Sequence, residues 1–84
     1  MSYEVKITKN VLDRLKTIHS MSFDGVETEA TLNIIIETLK NNPFSYPIIS
    51  NHRIVVEVMF PKLVYYIEDN EVVIFEMIDW EDLV

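Results

Sequence analysis

Cysteine is absent from this 84-residue chain, glycine occurs once and proline three times. Without cysteine there is no disulfide framework and no thiolate metal site. The two histidines are too few for a three-histidine zinc centre. The single glycine, Gly25, falls in the first turn of an expected helix, so no glycine-rich loop surrounds it to cradle a phosphate. Bases are scarce too: 7 against 14 acids, for a net charge of −7. That balance argues against non-specific binding to nucleic acid or to an anionic membrane surface. No run of apolar residues is long enough to span a membrane. Met1-Ser2-Tyr3-Glu4-Val5 has neither the basic start nor the apolar stretch of a secretory leader. The expectation is one cytoplasmic domain over residues 1–84, with no cofactor and no metal.

Hydrophobic residues are plentiful, at 49%, which is enough for a small core and well above a disordered composition. The charge is placed unevenly. Residues 1–42 carry 6 acids and 5 bases, and residues 43–84 carry 8 acids and 2 bases. From Glu68 onward there are seven acids and no base.

Tyr3, Val5 and Ile7 alternate with polar residues, which predicts a short strand with one wet face. Thr8 or Asn10 then caps a helix whose apolar stripe is Val11, Leu12, Leu15 and Ile18, ending near His19 or Ser20. Phe23 reads as a core anchor in the link. Asp24 followed by Glu27 resembles a capping box. It opens a second helix with Leu32, Ile35, Ile36 and Leu39 as its stripe, and Ile34 widens that stripe. Asn41 is the natural exit and Pro43 forbids continuation. The short link predicts that the two helices pack as a hairpin.

Residues 42–51 read as an apolar loop crossing the core, through Phe44, Tyr46, Ile48 and Ile49. Three strands follow: Arg53 to Phe60, stopped by Pro61; Leu63 to Ile67; and Val72 to Ile78. Glu68-Asp69-Asn70-Glu71 is the turn between the last two, since Asp and Asn tolerate a left-handed backbone. The fold class is therefore two-layer α+β: an N-terminal strand, an α-helical hairpin, then a three-stranded antiparallel meander that the first strand joins.

In this order, several local phrases resemble the RelE/ParE toxin superfamily. Val5-Lys6-Ile7-Thr8-Lys9-Asn10-Val11-Leu12-Asp13-Arg14-Leu15 is similar to its opening strand and helix. Leu39-Lys40-Asn41-Asn42-Pro43 is similar to the phrase that closes its helical hairpin. Phe60-Pro61-Lys62-Leu63-Val64-Tyr65-Tyr66-Ile67-Glu68-Asp69-Asn70-Glu71-Val72-Val73-Ile74 is similar to its central strand pair. The resemblance covers nearly the whole chain. It implies either messenger-RNA cleavage on the ribosome or inhibition of DNA gyrase, with an antitoxin as partner. Arg53 and Lys62 fall where the family places bases that enter its strands. The family's polar, basic C-terminus is missing: the chain reads Met77-Ile78-Asp79-Trp80-Glu81-Asp82 instead.

Metal-free RNA cleavage needs an acid, a base and cations against the phosphorus. The bases here are few and scattered. His52 and Arg53 are neighbours, but adjacent strand residues point to opposite faces, so ribonuclease activity is not expected. Asp79, Glu81 and Asp82 read as a solvated charge run rather than a magnesium cluster, since no apolar shell or glycine turn frames them. His19 suits the end of a helix dipole, His52 fills a junction, and Met21, Met59 and Met77 fill gaps. Of Tyr65 and Tyr66 one is core and the other faces outward. Trp80 either packs on the sheet edge or meets a partner.

The candidate binding residues are Arg53, Lys62, Tyr65, Tyr66, Asp79, Trp80, Glu81 and Asp82, with no catalytic residue among them. The leading reading is a toxin-like protein acting by protein binding, of the gyrase-inhibiting kind, with an antitoxin partner and no direct nucleic-acid or membrane binding. One alternative is a repurposed relative whose acidic surface blocks a basic nucleic-acid-binding protein. Another is a structural homodimer joined through an exposed Val-Ile-Phe edge strand.

Overall fold

The computed structural model describes residues 2–21, 25–57 and 60–78, with side chains described outside 18–21 and 25–28. Strand β1 (Glu4–Ile7) leads into helix α1 (Lys9–Met21) and helix α2 (Gly25–Asn41). Four strands follow: β2 (Ile48–Ile49), β3 (His52–Val55), β4 (Lys62–Glu68) and β5 (Glu71–Ile78). They make one sheet in the order β1-β5-β4-β3-β2. Every neighbouring pair is antiparallel except β1 and β5, which run parallel. A parallel return needs a crossover, and the two helices supply it.

The boundaries have local causes. The Thr8 carbonyl accepts from the Leu12 N–H at 2.9 Å, the first bond of α1, while the Thr8 N–H donates to Ile74 O on β5. Thr8 is therefore the cap, and it also pins the helix start to the sheet. Helix α2 stops at Asn41, two residues before buried Pro43, with Lys40 in its last turn, where a cation suits the dipole. The Tyr3 N–H donates to the Lys40 carbonyl at 2.8 Å, closing the N-terminus against that helix end.

Val11 and Leu15 of α1 and Ile35 and Leu39 of α2 form one core with Val55, Leu63, Tyr65, Val72, Ile74 and Met77 of the sheet. The helices thus cover a single face, and two layers result. Strand alternation supplies Leu63 and Tyr65 from β4, and Val72 and Ile74 from β5. After Ile74 the β5 pattern breaks. Tyr65 pairs with Ile74 and Val64 with Glu76, leaving Phe75 as an extra residue in a bulge. Without that insertion, strict alternation would carry Glu76 to the core. With it, Met77 enters the core and Glu76 stays exposed.

Several sequence expectations need correction. The strand expected to run from Arg53 to Phe60 ends at Val55, because Val56 already faces solvent and Glu57 turns to receive the Tyr46 hydroxyl at 2.6 Å. The loop over 42–51 does not cross the core. Only Pro43 and Tyr46 enter, while Phe44, Ile48 and Ile49 are exposed. Ile48 and Ile49 instead form a hairpin with β3, whose two turn residues, Ser50 and Asn51, both have positive φ (46° and 70°), the backbone of a type I′ turn. Ile34 does not widen the α2 stripe but points outward, 63% exposed. Strand β5 lies between β1 and β4, so the Val-Ile-Phe segment is not an edge and offers no ladder to a second copy.

The turn between β4 and β5 is as expected, with Asp69 at φ 54°. Phe23, Met59, Leu83 and the Asp24 cap lie outside the described residues, as do the side chains of Ile18, His19, Met21 and Glu27.

Candidate binding face of the sheet

Two residues that adjoin in sequence serve opposite faces. Arg53 shares the helix-side face with Tyr65, its register partner. Its guanidinium donates from Nη1 to the carbonyls of Tyr46 (2.6 Å) and Phe44 (3.2 Å) and lies 5.3 Å from the Phe44 ring centroid. Arg53 is thus a clamp on the segment after α2, not a presented phosphate ligand. Tyr65 works on the same segment. It has no exposed surface, and its hydroxyl donates to Pro43 O at 2.5 Å. Burial pushes its phenol up to about 12, against a smaller opposing pull from Arg53. Burial first, then the Glu57 hydrogen bond, raise the neighbouring Tyr46 as well. Tyr65 is therefore closed to a partner, while Arg53 is half-buried with its Nη1 held by its own chain.

The face away from the helices holds a different set. His52 begins β3, Tyr66 lies in β4 and Phe75 is the bulge residue of β5. The His52 and Phe75 rings meet edge to face with centroids 4.9 Å apart, and Tyr66 lies 5.5 Å from Phe75 and 6.4 Å from His52. Strands β3 and β5 are separated by β4, a spacing of roughly 9.6 Å, so both rings lean inward over the middle strand. Ile54 and Val64 are a cross-strand pair on this face, each 7% exposed and outside the helix-side core. Tyr66 remains 36% exposed.

Charge collects at one end of this face. Glu68 and Glu71 are direct cross-strand partners at the hairpin, and Glu4 is the register partner of Glu71 on β1. Facing carboxylates repel. Lys6 relieves the arrangement with Nζ 3.1 Å from Glu71 Oε1, and its own pKa is raised by that hydrogen bond, by the Glu71 charge and by Glu4. Lys62 and Glu76 lie toward the other end, flanking the Val64 position. The acids of β4 and β5 thus do not form one continuous wall. Asp79, Trp80, Glu81 and Asp82 lie outside the described residues.

Sequence reasoning missed His52 and Phe75 as members of this cluster. The alternations of His52 with Ile54, of Val64 with Tyr66 and of Val73 with Phe75 already place these residues on one face, but nothing in a single strand shows which strands lie side by side.

Elsewhere, a surface depression of about 370 Å³ on the outer side of α2 is lined by Asn33, Ile34, Glu37, Thr38 and Asn41. The Thr38 hydroxyl donates to the Ile34 carbonyl, and one carboxylate without a base makes no catalytic set. Among the described residues there is no cluster of three metal-ligating side chains, and no helix is long and apolar enough to cross a membrane.

No protein-family model matches the chain, and no curated protein matches it.

Proposed function

We propose that this chain is a divergent RelE/ParE-like protein that acts in the cytoplasm by binding a protein target, in the manner of a gyrase inhibitor held by an antitoxin, and that it does not cut RNA. The observation that carries the non-catalytic part is the dispersal of its candidate cations. Arg53 is committed to two carbonyls of its own chain, His52 stands on the opposite face among aromatic rings, and Lys62 lies at the start of β4. With Arg53 on the other side of the sheet from His52 and Lys62, the three do not converge on one phosphodiester. The family part is supported by topology: a first strand, a helical pair, then antiparallel strands whose last member lies parallel to the first.

Two assays on the purified chain test this reading. Translating messenger RNA should remain intact, while gyrase supercoiling should fall as the chain is added. Site-specific RNA cleavage would overturn the non-catalytic part. Unchanged gyrase activity, with gyrase absent from a pull-down in host lysate, would overturn the target.

A second reading, a scaffold that blocks a basic nucleic-acid-binding protein, is favoured by the corner of Glu4, Glu68 and Glu71, where three carboxylates share the single ammonium of Lys6. Capture of such a protein without gyrase would select it.

A further inference from the structure

We propose that the open face of the sheet is a docking surface for an arginine-bearing segment of a partner protein, with the guanidinium laid on the Tyr66–Phe75 pair and steered by Glu68. The inference rests on the protein-binding reading above but not on the identity of the target.

Among the described residues the helices cover only the opposite face, and this one carries three mutually packed rings with Tyr66 standing open. Such a surface suits a flat, polarisable group. Charge then decides between candidate occupants. The face bears Glu4, Glu68, Glu71 and Glu76 against Lys6 and Lys62, and Lys6 is already engaged by Glu71. Four carboxylates against two ammonium groups repel a phosphate backbone, so bases of single-stranded RNA, which would also stack on such rings, are disfavoured. They attract a cation. Glu68 is two residues from Tyr66 on the same side of β4, a spacing of about 7 Å, within the span of a guanidinium that stacks on the ring and donates to the carboxylate. Arginine fits better than lysine because its planar head can do both at once. Ile48 and Ile49, exposed on edge strand β2, make a strand only two residues long with no charge partner in it.

The test uses the ¹⁵N-labelled full chain titrated with the acetylated, amidated pentapeptide Gly-Arg-Gly-Arg-Gly and its lysine counterpart, followed by NMR shifts. Shifts are expected to cluster at Tyr66, Glu68, Val73 and Phe75, with the arginine peptide bound at least about threefold more tightly. Tyr66→Leu keeps apolar bulk in the strand while removing the π face, and should lower arginine affinity about fivefold. Phe75→Leu should do the same, and Glu68→Gln should reduce binding by about twofold and remove much of its salt dependence.

Shifts elsewhere, or equal affinity for wild type and Tyr66→Leu, would overturn the proposal. So would binding that emerges only in a Trp80→Ala variant, which would make the chain's own C-terminal segment the occupant, or open-face shifts that track protein concentration alone, which would make it a second copy. Peptide binding with gyrase unaffected sinks the target and leaves this surface standing. Gyrase inhibition without peptide binding does the reverse.

Discussion

Tyr65 and Tyr66 are consecutive, chemically identical and energetically unlike. Tyr65 faces the helices with no exposed surface and a hydroxyl bonded to the Pro43 carbonyl. Tyr66 faces away, 36% exposed, with its ring against Phe75 and His52. One side of the sheet is a closed core in which every buried polar side-chain atom among the described residues has a partner. The other is a half-open aromatic surface with an acidic end. A strand assigns adjacent residues to opposite sides, so a change of one position exchanges a closed core for a solvent-facing aromatic surface.

Removing apolar volume from each side of the sheet should separate the two faces most clearly. Ile74→Ala, at a fully buried site in the helix-side core, should lower unfolding free energy by about 2–5 kcal/mol. Val73→Ala, one residue away and half-buried on the open face, should stay below about 1.5 kcal/mol. Urea titrations of both variants measure this, and equal losses would mean that the open face is packed like the core.

The tyrosines give the next contrast. Tyr65→Phe leaves the Pro43 carbonyl without its donor and should cost about 1–3 kcal/mol, while Tyr66→Phe should lie within about 0.5 kcal/mol of wild type. The pH dependence has a definite sign. Burial lifts Tyr65 to about 12 from an ordinary value near 10, and moves Tyr46 in the same direction. Above pH ~10 the unfolded chain releases tyrosine protons that the folded chain retains, so stability present in full below that pH falls as pH rises toward 12. Urea midpoints between pH 8 and 12 should drop for wild type, and less steeply for Tyr65→Phe. An unchanged slope would place the alkaline titration elsewhere.

A last pair of variants separates a clamp from an ornament. Arg53→Ala loses two carbonyl contacts and the Phe44 stacking, an expected loss of about 1–3 kcal/mol. Lys6→Gln removes a salt bridge between two exposed side chains and should leave the thermal midpoint unchanged within error. A larger shift for Lys6→Gln than for Arg53→Ala would reverse the assignment of Arg53 as a structural residue.

Much of the fold was legible. The alternation of Val5 and Ile7, the 3.6-residue stripe through Leu32, Ile35 and Leu39, and the Asp69-Asn70 turn each follow from one chemical rule applied over a short window. The errors fell where neighbours far in sequence decide. Residues 48–49 look like loop, because two residues are too few to show a period. They become a strand only because β3 is there to pair with them. Arg53 looks like a presented cation, because its two carbonyl partners, 7 and 9 residues upstream, are brought round by the bend after α2. The aromatic face was half legible. Tyr66 could be assigned outward by alternation, but His52 and Phe75 meet it only through pairing across three strands.

Composition and short-range periodicity account for the inventory and its local order: no thiol chemistry, an acidic second half, a strand, two helices and a meander. These follow from composition and from periods that a few turns of chain can express. Tertiary structure alone decided the face of each residue after the bulge. One unpaired residue in β5 keeps Glu76 out of the core and brings Met77 in, and the pairing of three strands sets Phe75 beside His52. It also decided that Arg53 holds the chain together while Tyr66 stands open. The physical reason is that register is a property of two strands, set by cross-strand pairing and core volume, and no single segment carries it.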